Sequence, residues 1–154
     1  MATKSLREEI KRTKPFEHLE EEVFLNLLRT HCVLSEKPFQ LFKSEGLSAP
    51  LHNILRILRG AEPEGLPSLE IANRMVTRVP DITRLVDRLE NLELARRERS
   101  KIDRRVVRVR ITAKGIKKIE DLGPRVLEIH RQHFADFTRT ELKNLNRLLV
   151  KARR

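Results

Sequence analysis

There is no tryptophan and no tyrosine among the 154 residues, and six phenylalanines supply all the aromatic rings. That scarcity argues against a surface built to stack unpaired bases, which needs a row of exposed rings. There is one cysteine, Cys32. A single thiol closes no intrachain disulfide, and a chain this poor in cysteine suits a reducing compartment. No apolar run approaches the roughly 18 residues of a membrane span, and the opening MATKSLREEI lacks the apolar stretch of a secretory signal. The expectation is a soluble cytoplasmic protein without membrane contact. Also missing are a glycine-rich phosphate loop, the HExxH pair and the GxSxG turn. Acids abound, but none forms a pair distinct from helix surface charge. Neither an enzyme nor a cofactor is expected.

What is there is charge, and it is unevenly spread. Hydrophobic residues make up 39% and charged residues 36% of the chain, a globular but charge-rich composition. The net charge is +11. Residues 1–72 are nearly balanced, whereas residues 73–110 hold 12 bases against 6 acids and residues 111–154 hold 11 against 5. A basic half of this kind suits a polyanion, most simply nucleic acid. Charge alone leaves a generally basic soluble surface as an equal reading.

The apolar residues repeat with helical spacing over residues 16–34, where Leu19, Val23 and Leu27 form a stripe with Phe24 and Leu28 beside it. Pro38 is expected to kink or split this helix, because proline lacks a donor and clashes with the preceding turn. A further helical piece would carry Phe39, Leu41 and Phe42 to near Gly46. Ser48, with Pro50 in the first turn, should cap a helix bearing Leu51, Ile54, Leu55 and Leu58. The stretch GAEPEGLPS reads as loop. Ser68 should cap the short helix LEIANRMV. A turn then leads to DITRLVDRLENLEL, with Asp81 placed where an acid suits the helix dipole. A short helix, a tight connection and a longer helix make a helix-turn-helix. Two strands, about Ala95–Arg99 and Arg105–Ile111, follow as a hairpin wing. In the second, Val107, Val109 and Ile111 should hold the core while Arg108 and Arg110 face solvent or phosphate. Thr112 should cap a helix that Gly123-Pro124 can bend. Thr138 to Glu141 reads as a capping box for a last helix with Leu142, Leu145, Leu148 and Leu149.

The phrases GLSAPLHNILRILRGAEPEGLPSLEIANRM, PDITRLVDRLENLEL and DRRVVRVRITAKG resemble the MarR family of winged helix-turn-helix transcription regulators, from about Leu47 to Gly115. The resemblance implies a mainly α fold with a small β-hairpin wing. Residues 47–111 would form the DNA-binding domain, flanked by dimerisation helices in residues 1–46 and 112–154. It implies a homodimer on pseudo-palindromic double-stranded DNA, often a repressor, and often released by a small aromatic ligand. Thr83 and Arg84 match the positions that face the major groove. Asp103 and Arg105 match a wing pair in which the acid orients the arginine, and Arg97 matches the basic residue at the start of the first wing strand. Two departures stand out. Glu93 occupies the usual glycine after the recognition helix, at a cost of roughly 1 kcal/mol if its backbone is left-handed. Leu51-His52 replaces a Gln-aromatic pair.

Arginine forms bidentate bonds to guanine edges and also neutralises phosphates. Arg78, Arg84 and Arg88 suit either task, or a solvated helix face. Arg74 suits a phosphate or plain surface. Ser68 and Asp81, at helix starts, and Arg104, in the wing, complete the expected DNA-facing set. A wing arginine suits the narrow minor groove, where negative potential is strongest. Cys32 is expected to be a buried small hydrophobe rather than a redox sensor. His130 and His133, with His31 and Cys32, have a weak claim to zinc; surface or interface histidines are the simpler reading. Outside DNA-binding regulators, the composition also leaves room for a winged-helix protein-interaction module or a basic RNA-binding protein.

Overall fold

The computed structural model describes residues 4–99 and 105–154. In chain order the elements are α1 (Leu6–Glu9), α2 (Leu19–Ser44), α3 (Ala49–Arg59), α4 (Ser68–Arg74), α5 (Ile82–Asn91), β1 (Ala95–Arg99), β2 (Val107–Ile111), α6 (Ala113–His133) and α7 (Arg139–Lys151). This is the expected mainly α chain with one two-stranded antiparallel hairpin. No helix of the described residues is long and apolar enough to cross a membrane. The chain divides after Pro38 into two compact units.

In the first unit, Ser5 and Glu8 form a reciprocal capping box around the start of α1. The bonds from the Ser5 backbone and hydroxyl lower the Glu8 pKa. Arg12 pairs with Glu21 at 2.8 Å and lies 4.3 Å over the Phe16 ring. Along α2, Leu19, Val23, Phe24, Leu27 and Leu28 all stand exposed. Cys32 is exposed as well, which corrects the expectation of a buried thiol. Neighbouring Val33 is half exposed too.

Pro38 was expected to break the helix, yet α2 continues through it to Ser44. Proline removes one hydrogen bond, and the turns on either side remain available to hold the axis. Beyond Pro38 the helix is anchored by Phe42, buried in the core of the second unit. Likewise α6 passes through Pro124 without ending.

The second unit is built on α3. Ser48 caps it, accepting from the Leu51 N–H, and Ile54, Leu55 and Leu58 are wholly buried. Ile71 from α4, Val86 and Leu89 from α5, Val109 from β2 and Leu122 from α6 join them in one cluster. Each such side chain contributes about 1.5–3 kcal/mol by leaving water. The hairpin pairs Ala95 with Ile111, Arg97 with Val109 and Arg99 with Val107. Leu66, in the stretch expected to be loop, exchanges both backbone hydrogen bonds with Val109 at 3.0 and 2.8 Å. The preceding Gly65 has φ +65°, and a Cβ there would lie 2.4 Å from the Val109 carbonyl oxygen, so only glycine allows this approach.

Thr112 caps α6 by accepting from the Gly115 N–H at 3.0 Å. Glu45 accepts from Lys118 at 2.7 Å and Arg125 at 2.5 Å, which ties α6 to the turn before α3. Those two bonds hold the Glu45 carboxyl below its ordinary pKa. Thr138 and Glu141 form the expected capping box of α7. Leu142, Leu148 and Val150 on that helix remain exposed.

Candidate nucleic-acid interface

The segment from α4 to β2 places an exposed basic edge on a rigid base. Val86 and Leu89 anchor α5 with no exposed surface. Asp81 is its N-cap, accepting from the Arg84 N–H at 3.0 Å. The cap satisfies a backbone donor that would otherwise be orphaned and places the acid at the positive end of the helix dipole. Thr83, Arg84 and Arg88 then project from the uncovered side, all exposed. Arg78, Arg84 and Arg88 make no ion pair among the described residues. A cleft of about 670 Å³ runs beside α5, lined by Pro50, Val79, Arg84 and Leu85 among others.

The remaining expected residues are placed differently. Ser68 is the first residue of α4; Pro67 holds the cap position and no side chain caps the helix. The helix also ends at Arg74, two residues earlier than the periodicity suggested, because Met75 turns extended. Arg74 pairs with Glu70 at 2.8 Å on the surface. Asn53 of α3 accepts from the Val76 N–H at 2.9 Å and fixes the turn, leaving the Val76 side chain 89% exposed. Sequence reading passed over Val76, since an apolar residue in a turn gives no periodic signal.

The wing differs most from expectation. Asp103 and Arg104 lie outside the described residues, so the proposed orienting pair does too. Arg105 is described and exposed. Val107, expected on the core, is 44% exposed, because it lies beyond the reach of the cluster that buries Val109 and Ile111. Arg108 and Arg110, expected to face solvent or phosphate, are half buried. Arg108 donates to the Gly65 carbonyl at 3.0 Å and Arg110 to Glu98 at 2.8 Å. The Arg110 bond is the main reason the Glu98 pKa is lowered. Arg97 is also turned inward. Its guanidinium contacts the carboxylates of Glu90 and Asp87, the latter at 2.7 Å.

Helix α5 closes just beyond its C-cap on Glu93, at φ +60°. Glu93 N–H donates to the Glu90 carbonyl at 2.8 Å and Leu94 N–H to the Leu89 carbonyl at 2.9 Å. These two bonds form a Schellman closure, with glutamate where glycine is favoured. The residue is held by its bond from Lys114 at 2.7 Å and by the Thr112 hydroxyl on its carbonyl at 2.7 Å. The Lys114 contact lowers the Glu93 pKa. Among the described residues no three His, Cys, Asp or Glu gather as a metal site.

Comparison with known proteins bears on this geometry. A family model for the transcriptional regulator SarA/Rot matches residues 40–122, more than half of the chain. A MarR transcription factor from Planctomyces limnophilus has a solved structure with 38% identity and a TM-score of 0.67, covering 88% of this chain and 98% of that one. The chain belongs to the MarR family, in its SarA/Rot-like form. The transcriptional repressor IacR of Pseudomonas putida is 29% identical over 126 residues, 82% of this chain and 74% of that protein. The structure of the MepR–DNA complex of S. aureus, at 21% identity and a TM-score of 0.73, shares the fold over 84% of this chain and 94% of that one. The MarR-family assignment makes the protein a DNA-binding transcription regulator of winged-helix type.

Proposed function

We propose that the protein is a homodimeric repressor that reads a pseudo-palindromic operator, with α5 in the major groove and the wing in the minor groove. The observation that carries this is the edge of Thr83, Arg84 and Arg88, exposed on a helix anchored by buried Val86 and Leu89, with both arginines outside any ion pair among the described residues. In this reading Thr83 and Arg84 meet base edges, Arg78 and Arg88 meet bases or phosphates, and Ser68 and Arg74 meet the backbone. Asp81 holds the helix start in place. Arg105 enters the minor groove, oriented by Asp103, with Arg104 beside it. Residues 1–46 and 112–154 supply the dimer contacts and residues 47–111 the DNA contacts. The exposed apolar residues of α2 and α7 suit a partner copy, since so much uncovered leucine, valine and phenylalanine is uncommon on a free surface. IacR, a repressor by name, and MepR, solved with DNA, support the role.

Selection of duplexes from a random library, followed by footprinting, tests the reading. A two-fold repeated site with half-sites one helical turn apart is expected. Arg84→Ala should lower discrimination against a wrong base by about 1–3 kcal/mol. Equal affinity for all duplexes, or preference for RNA in competition, would overturn it. Release by a small aromatic ligand completes the proposal, tested by titrating such acids and phenols into the bound complex.

A further inference from the structure

Arg97 occupies an unusual place for a charged residue. On β1 it stands directly opposite Val109, which is wholly buried, so its side chain leaves the strand on the core face. From there it runs along α5. The guanidinium meets the Glu90 carboxylate, the Asp87 carboxylate at 2.7 Å and the Thr83 carbonyl at 3.5 Å. The Arg97 N–H also donates to Glu90 at 2.7 Å. These three partners span nearly two turns of the recognition helix, along the flank of its exposed edge. Its side chain is 27% exposed, against 53% for Asp87 and 31% for Glu90.

We infer that Arg97 is a positioning residue that locks the wing to the recognition helix, so that α5 and the hairpin reach their two grooves in one fixed register. The inference rests on the DNA-binding geometry proposed above. A guanidinium is a planar fork whose donors can bind two carboxylates at once, and here the fork bridges two elements that must act together. It also cancels negative charge on α5, where Glu90 and Asp87 would otherwise repel the approaching phosphates. An arginine so engaged is not free to neutralise a phosphate itself without abandoning both acids.

The two roles predict opposite signs for one variant. Glu90→Gln removes a negative charge near DNA and weakens the hold on Arg97. If Arg97 is a phosphate contact, the variant binds DNA as tightly as wild type or more tightly. If Arg97 is a lock, preference for the operator falls. The measurement uses the duplex selected by the wild-type protein and a scrambled duplex of equal length, at several salt concentrations. The ratio of the two affinities is expected to fall about tenfold in Glu90→Gln and in Arg97→Ala. It should fall no further in the charge-conserving double variant Glu90→Gln/Arg97→Gln, since the members of one clamp are not additive. Arg97→Lys, a single point charge, should recover only part of the loss. The double variant should keep the wild-type slope of log affinity against log salt. Loss of one direct phosphate contact would lower that slope by ~0.9. Should Arg97→Ala fail to fold, the sign of the Glu90→Gln change decides alone. A selective wild type with an equally or more selective Glu90→Gln overturns the lock but leaves the function standing. A wild type without preference overturns both.

Discussion

His52 makes the stability of the core depend on pH. Its ring stacks on Phe42 with centroids 4.5 Å apart, and the residue is 7% exposed. Burial first, then the positive charges of Arg56 and His130, push its pKa from 6.5 down to about 4. The folded state therefore resists a proton that the unfolded chain accepts at the ordinary value. Stability owed to the neutral ring is complete above pH 6.5 and is lost as pH falls toward 4. The full difference is about 3 kcal/mol, at 1.36 kcal/mol per pH unit, and by pH 5 about 2 kcal/mol should already be gone. That is a large share of the roughly 5–15 kcal/mol that holds a typical domain. Urea unfolding at pH 7.5, 6 and 5, at one protein concentration, measures it. His52→Phe keeps a ring against Phe42 but cannot titrate, so it supplies the baseline for the carboxylates common to both proteins. Wild type should lose about 2 kcal/mol more than the variant between pH 7.5 and 5. Equal losses, or a His52 resonance titrating near 6.5, would refute the argument.

Glu93→Gly relieves a left-handed glutamate, worth about 1 kcal/mol, and removes an exposed ion pair to Lys114 worth less; a small rise in melting temperature is expected, and a fall would show that the ion pair dominates. Gly115→Ala should destabilise by about 1–3 kcal/mol, because the new Cβ would lie 2.2 Å from the Leu94 carbonyl oxygen; a calorimetric trace unchanged from wild type contradicts this. Arg105→Ala should reduce the salt slope of DNA binding by ~0.9, and Asp103→Ala should weaken binding if the acid orients the arginine, whereas tighter binding marks a plain basic patch. Sedimentation should find a dimer at micromolar concentration that Leu27→Lys dissociates; a monomeric wild type with full operator affinity would sink the dimer reading.

Much of the architecture was legible from local chemistry. The stripe of Leu51, Ile54, Leu55 and Leu58 has helical period, Ser48, Thr112 and Thr138 are cap residues, and β2 alternates with period two. Such signals depend on neighbours a few residues apart, which is why they survive without a fold. Pro38 misled for the same reason: proline's effect on one turn is local, but burial of Phe42 beyond it is not. What arginines do could not be settled by spacing at all. Arg84 and Arg97 look alike in the sequence, yet one is exposed without an ion partner among the described residues and the other faces Glu90 and Asp87. A guanidinium reaches far enough to choose among partners brought near only by the packing of α5 against the hairpin. The bridge that Leu66 makes to Val109 and the stacking of His52 on Phe42 are likewise contacts across the folded unit. The chain's local pattern chose the elements; the three-dimensional packing decided which charges pair with one another, because pairing is a matter of distance in space.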